Sequence, residues 1–204
     1  MTAYAESGPE RAAQALDRQS VNTSRSSVTG MTLFVASEAV FFAAFFGVYA
    51  ASYTDAKVWP PPGLTTPSIL LPTIGVILLI VSGATMAVGV RRTHRADYPR
   101  GLTTWLTATT VLGVVFGVLV AEGLIELSFP IGQGIYETLF YMLLGLELAH
   151  VVGGVALLAL VLLRAGTGEL ALRRDPVQSA AIYWFFVVVL GVVIYAVLYL
   201  ASGG

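Results

Sequence analysis

Apolar residues gather along the chain in five long runs, Met31 to Tyr53, Ile69 to Val90, Leu102 to Leu127, Tyr136 to Leu163 and Ala180 to Ala201, separated by short polar stretches. Each run is long enough to cross a hydrocarbon core of roughly 30 Å at about 1.5 Å per helical residue. None shows the alternation of polar and apolar positions over about ten residues that a strand of a membrane barrel carries. In lipid the backbone N–H and C=O groups must find partners within their own segment, which leaves the α-helix. The pattern therefore predicts an all-α polytopic membrane protein. Residues 29–204 form a bundle of five transmembrane helices, preceded by a polar tail at residues 1–28. With no apolar stretch before Met31, that tail reads as a cytoplasmic segment rather than a cleaved signal.

The charges give the bundle a direction. Ten of the eleven basic residues lie in the tail, in the RRTHRADYPR stretch at residues 91–100, or at Arg164, Arg173 and Arg174; Lys57 alone lies on the other side. The positive-inside rule then puts the N-terminus in the cytoplasm and the C-terminus outside. Trp105 and the Tyr183-Trp184 pair fall near the inner ends of their spans, where amphipathic rings anchor at headgroups.

Composition agrees with this reading and removes several classes of chemistry. Of 204 residues 56% are hydrophobic and only 11% charged, against roughly 25% charged in a soluble domain. The net charge of -1 lacks the basic footprint of a nucleic-acid binder. The absence of cysteine excludes disulfides, thiolate metal sites and a thiol nucleophile. With only His94 and His150, a haem or multi-metal centre held by this chain is not expected.

Ionisable groups inside a bilayer cost about 2.5–3.5 kcal/mol each on insertion scales, so they mark candidate sites. Three occur here: Glu38 in SEAVFFAAFF, and Glu147 with His150 in GLELAHVVGG. Glu38 precedes Phe41, Phe42, Phe45 and Phe46. Desolvation by such rings lets a carboxyl hold a proton near neutral pH, and a role in proton movement or lipid contact stands beside one in helix packing. Glu147 and His150 are three residues apart, so they share a helical face and can reach common neighbours. The same spacing occurs in di-iron bundles, but those need a second Glu-x-x-His and further carboxylates, so an interhelical polar contact is the better reading. Gly145, Ala149 and Gly153 form a small-residue strip on another face, suited to pressing on a neighbouring helix. Glu122, Glu126 and Glu137 flank an external loop as solvated end positions. In VWPPPGLTTP, Val58 to Pro67, three prolines enforce an extended connection that is either a docking surface or a plain loop.

Taken together these segments resemble subunit III of the haem–copper terminal oxidases, in its short five-helix bacterial form. The resemblance covers nearly everything after residue 28. Ser37-Glu38 followed by Phe41-Phe42 and Tyr49 is similar to an SE-x-x-FF motif, and Trp59-Pro60-Pro61-Pro62 to a WPPP loop. Leu71-Pro72-Thr73 with Leu78, Leu79 and Ser82 resembles the next helix. Phe140-Tyr141, Gly145, His150-Val151 and Gly154 fit FY-x-x-x-G followed by HV-x-x-G, and Tyr183-Trp184, Phe186-Val187 and Tyr199 fit the last helix. The chain departs from the family where a His is usual at Glu147, and a His and an Asp at Phe185 and Val188. Glu122 or Glu126 stand as displaced counterparts of a late polar pair in the third span.

The resemblance implies a non-catalytic accessory subunit of an oxygen-reducing complex. It implies no cofactor bound by this chain, with haem and copper in the catalytic subunit I and the copper-bearing subunit II. Further partners are membrane phospholipids, in a lipid-filled cleft between two groups of helices, and the location is a prokaryotic cytoplasmic membrane. Carried over by position, Glu38 resembles the family's intramembrane carboxyl and His150 its helix-four histidine, with Glu147 as a replacement polar partner; proton uptake and durability of the catalytic subunit are the roles implied. Accessory subunits of a nitric oxide reductase or a quinol oxidase share the pattern. A small proton channel using Glu38, Glu147 and His150 as a relay is the reading from another class; inverted repeats and broken helix pairs that mark transporters do not stand out.

Overall fold

The computed structural model describes residues 9–64, 67–92, 100–132, 134–166 and 175–201, without the side chains of residues 9–25, 100 and 166. His94, Arg95, Arg173 and Arg174 lie outside the described residues. Five helices follow one another: α1 Pro9–Asp55, α2 Leu70–Arg92, α3 Arg100–Ile125, α4 Ile135–Gly166 and α5 Asp175–Tyr195, the last continued by a π-helical turn over Ala196–Leu200. Each contains a stretch long and apolar enough to cross a membrane, and no strand occurs among the described residues.

Two boundaries differ from the hydropathy pattern for local reasons. The α1 backbone is already helical from Pro9, well before the apolar segment that begins at Ser26. α5 starts at Asp175, five residues before its apolar run, because Pro176 is tolerated in a first turn and Asp175 complements the helix dipole there.

α2, α3, α4 and α5 close a ring, α2 packing most extensively along α3, and α1 lies across α4 and α5. The described helices thus make one connected bundle in which α5 meets α1, α2 and α4. Two apolar cores stack within it. One gathers Leu79, Met86, Leu106, Leu158, Val187 and Trp184; the other gathers Phe42, Phe129, Tyr136, Phe140, Ile194 and Leu198. Polar side chains pin the helices to one another: Thr85 to Thr109 at 2.8 Å, Thr73 to Tyr195 at 2.6 Å and Ser27 to Ser179 at 3.2 Å. Such bonds contribute about 0.6 kcal/mol each on average between membrane helices.

Trp184 corrects the expectation of headgroup anchoring. It is wholly buried, its Nε1–H donates to Ser82 Oγ at 3.1 Å, and Ser82 Oγ–H donates to the Leu79 carbonyl at 2.6 Å. The indole fits because α3 and α4 carry glycine where it passes: a Cβ at Gly113 would overlap the ring, and one at Gly154 would lie 2.8 Å from two of its atoms. The strip of Gly145, Ala149 and Gly153 is not the packed face. Ala149 is exposed, Gly145 faces open space, and only Gly153 meets a neighbour, the Tyr183 hydroxyl.

The proline segment also departs from the extended form. Leu64 N–H donates to the Pro61 carbonyl at 3.2 Å with Gly63 at φ +92°, a tight turn that needs glycine at its third position. The Trp59–Pro60 bond is cis. Trp59 folds inward, donating to Tyr49 Oη at 3.0 Å and meeting Tyr49, Tyr53 and Tyr136 edge-on.

If the glycine slot for Trp184 sets the packing of α3, α4 and α5, Gly113→Ala should lower stability by about 1–3 kcal/mol through overpacking. Gly30→Ala, where a Cβ meets nothing within 4 Å, should leave it unchanged or slightly raised. Thermal unfolding of the two variants in detergent distinguishes them.

Candidate functional site

On α1, Met31, Val35, Glu38, Phe42, Phe45 and Tyr49 recur at alternating spacings of four and three, a narrow stripe that turns toward α4 and α5. Glu38 is its one carboxyl. Its Oε2 lies 3.3 Å from Nε2 of His150 on α4, and the two side chains are 24% and 11% exposed. On its other side the imidazole Nδ1 lies 2.7 Å from the Leu146 carbonyl, one turn back on α4.

That second bond decides the proton count. A carbonyl oxygen only accepts, so Nδ1 carries a hydrogen and donates it. The contact with Glu38 then needs one further hydrogen between Nε2 and Oε2. Either the carboxyl O–H donates to a neutral imidazole, or an imidazolium N–H donates to a carboxylate. Both forms hold one proton, and both are neutral as a pair, which avoids the penalty of an isolated charge.

Aromatic rings enclose the imidazole. Phe42 and Phe186 meet it edge-on at 5.2 and 5.9 Å, and Tyr183 stacks on it at 6.2 Å with 13° between planes. Tyr183 Oη–H donates to the His150 carbonyl at 3.2 Å, and Phe34 of α1 stacks on Tyr183 at 6.2 Å. Rings from α1 and α5 thus fix the histidine of α4 against the carboxyl of α1.

Glu147 does not share these neighbours. It is 1% exposed and turns toward α2 and α5, beside Leu79 and Gly191. A separation of three residues is about 60° around a helix, and α4 meets α1 on one side and its neighbours in the ring on the other. The two side chains therefore enter different interfaces. Neither oxygen of Glu147 has a hydrogen-bond partner among the described residues.

The flanking carboxylates divide as well. Glu122 and Glu126 are exposed, as expected of end positions, whereas Glu137 is buried in the first turn of α4 with Oε2 unpartnered among the described residues. Its carboxyl folds back over Gly134, where a Cβ would meet Oε2 at 2.5 Å. The positions that depart from the expected motif have become apolar: Phe185 lies on the outer surface and Val188 packs at 3.3 Å from where a Gly83 Cβ would stand. Among the described residues no group of three or more His, Asp or Glu is placed to hold a metal ion. Sequence reasoning missed the Trp184–Ser82 bond and the Tyr49–Trp59 bond, for which a buried indole needing an acceptor is the only local signal.

Comparison with known proteins supplies a family. A family model described as Cytochrome c oxidase subunit III matches residues 12–203. The chain is 31% identical over 176 residues to cytochrome c oxidase subunit 3 of Xenopus laevis, covering 83% of this chain and 67% of that protein. It is 29% identical over 173 residues to cytochrome c oxidase subunit 3 of Synechocystis sp., covering 84% and 74%. Over 187 residues it is 29% identical to the probable cytochrome c oxidase subunit 3 of Rickettsia prowazekii, covering 84% and 67%.

The one-proton pair makes a measurable demand. Glu38→Leu and His150→Leu should each destabilise the chain, and the double variant should lose less than their sum, with a coupling of about 1–3 kcal/mol. Glu38→Gln should retain most of the wild-type stability, because its amide N–H donates to Nε2. A coupling near zero in detergent unfolding would show that the contact carries no energy.

Proposed function

The chain belongs to the cytochrome c oxidase subunit III family and is an accessory subunit of a haem–copper oxidase; on that premise we propose that it braces the catalytic subunit I and the copper-bearing subunit II in a prokaryotic cytoplasmic membrane. Haem and copper reside in those partners. The N-terminus and the arginine-rich loops face the cytoplasm, and phospholipids cover the apolar residues that the bundle leaves exposed, such as Leu33, Val40, Val152 and Val189. The relatives bear the oxidase name, which favours this reading over a nitric oxide reductase subunit, a quinol oxidase subunit or a proton channel.

Within that role the Glu38–His150 pair supports proton uptake and the durability of the catalytic subunit. The observation that carries this is the 3.3 Å contact joining α1 to α4 inside an aromatic enclosure. The pair moves its proton between two atoms without changing the net charge of the membrane interior. Relay through the pair keeps that neutrality only when a proton taken up at one end is matched by one released at the other. Glu147 enters this function as a separate polar group, not as part of the same pair.

Two measurements test the proposal. Affinity purification of the chain in mild detergent should bring down haem and copper absorbance with the partner subunits; a pigment-free, unaccompanied chain would contradict it. Glu38→Gln should leave the complex assembled while slowing proton uptake or shortening the active lifetime under turnover. Unchanged kinetics and lifetime would reduce Glu38 to a packing residue.

A further inference from the structure

We propose that Glu147 ends a water-filled, dead-end path that enters the bundle at the rim formed by the start of α2 and the end of α3. The carboxyl is buried to 1% exposure, and no described residue offers a hydrogen bond to either oxygen. Buried polar groups in folded proteins are paired with protein or ordered water, so these oxygens require a partner that the side chains do not supply.

The space for that partner is present. Glu147 lines a cavity of about 50 Å³ between α2, α3, α4 and α5, whereas one water needs roughly 10–15 Å³ of such space. Glycine opens it on three helices: Gly75, Gly123 and Gly191 all line the wall, and a Cβ at Gly191 would stand 2.7 Å from Glu147 Oε1. Leu71, Pro72, Gly123 and Tyr199 line this cavity and also a second one of about 460 Å³. The second carries Ser68, Glu122, Glu126 and Ser128 on its wall, the two carboxylates and Ser128 being exposed. Polar, exposed residues thus mark the mouth, apolar residues the neck, and a single carboxyl the end.

The chemistry favours water over other occupants. A lipid acyl tail filling the same neck leaves both oxygens unpartnered. A metal ion would find one carboxylate and, besides apolar residues, only the side chains of Tyr195 and Tyr199, too few ligands to hold it. Water alone bonds to the carboxyl and fits a narrow apolar neck, and through it Glu147 exchanges protons with the side on which Glu122 and Glu126 lie. The Glu38–His150 pair contributes no residue to either cavity wall, so this access is separate from it.

The chain has no cysteine, so one introduced thiol is the only one it carries. In the full chain in sealed native membrane vesicles of each orientation, Glu147→Cys, Ser128→Cys and Leu143→Cys are exposed to a small membrane-impermeant cationic thiosulfonate. Ser128 marks the mouth, and Leu143, fully buried one turn before Glu147, lines neither cavity. Glu147→Cys should be labelled from the same side as Ser128→Cys and at least about tenfold faster than Leu143→Cys, which reacts only through local opening. Labelling of Glu147→Cys from the opposite side, or at a rate equal to that of Leu143→Cys, overturns the path. Should the cysteine variant fail to accumulate, or the reagent be too large to pass the neck and leave Glu147→Cys unlabelled, infrared spectra of the wild-type protein in D2O, against Glu147→Gln as reference, decide the matter. Prompt deuteration of the Glu147 carboxyl band supports the path, and a band that stays protonated over hours refutes it. Neither result depends on which partner subunits surround the chain.

Discussion

Hydrocarbon cannot hydrogen-bond, and the whole structure follows from that one constraint. It forces the backbone into helices that satisfy themselves, and it turns every polar side chain within a span toward another helix, toward its own backbone or toward water. The apolar surface left over needs no internal partner, which is why α1 is nearly uncovered along its span and yet helical throughout. Close packing is then needed only where polar groups must meet. The Thr85–Thr109, Thr73–Tyr195 and Glu38–His150 contacts fall at helix pairs that pack on one another.

α5 is where these demands converge. It touches α1, α2 and α4, and its two cores are joined through Trp184 at one level and Ile194 with Leu198 at the other. The indole is too large for a helix crossing unless the neighbours give up their side chains, and Gly113 and Gly154 do so. A shape match of this kind replaces the hydrophobic drive that is missing between helices in lipid. It also positions Tyr183, the residue before it on α5, against His150. Packing in the first core therefore fixes the geometry of the site.

The spans were legible because hydropathy over about 20 residues is a strong and local signal. The three intramembrane ionisable residues were legible for the same reason, since each interrupts an apolar run. What could not be read was direction around the helix axis. Glu147 and His150 share a face by spacing, yet 60° is enough to send them into different interfaces, and only the placement of α1 decides which. The strip of Gly145, Ala149 and Gly153 failed for a related reason: small residues permit close approach without requiring it, and the bundle used Gly154 instead. Trp184 was misread because an indole near a span's end is equally suited to a headgroup or a slot, and its depth depends on glycines in two other helices. Glu137 was misread because exposure of a first-turn carboxyl depends on what folds over it.

The two carboxyls deep in the bundle solve one problem in two ways. Glu38 is neutralised by a histidine whose other nitrogen is committed to a carbonyl, so the pair holds a fixed number of protons and needs no water. Glu147 has no such partner among the described residues and sits instead against open space in the ring of four helices. At this position the family resemblance leads one to expect histidine, a group that can donate as well as accept. A carboxyl in its place offers a donor only when protonated, so its neighbours would have to supply hydrogens that Leu79 and Gly191 lack. The substitution is therefore tolerable only if the site is wet or the carboxyl is protonated. In either case Glu147 marks an interface at which this chain departs from the resemblance by exchanging one polar group for another, where Phe185 and Val188 give up polarity altogether.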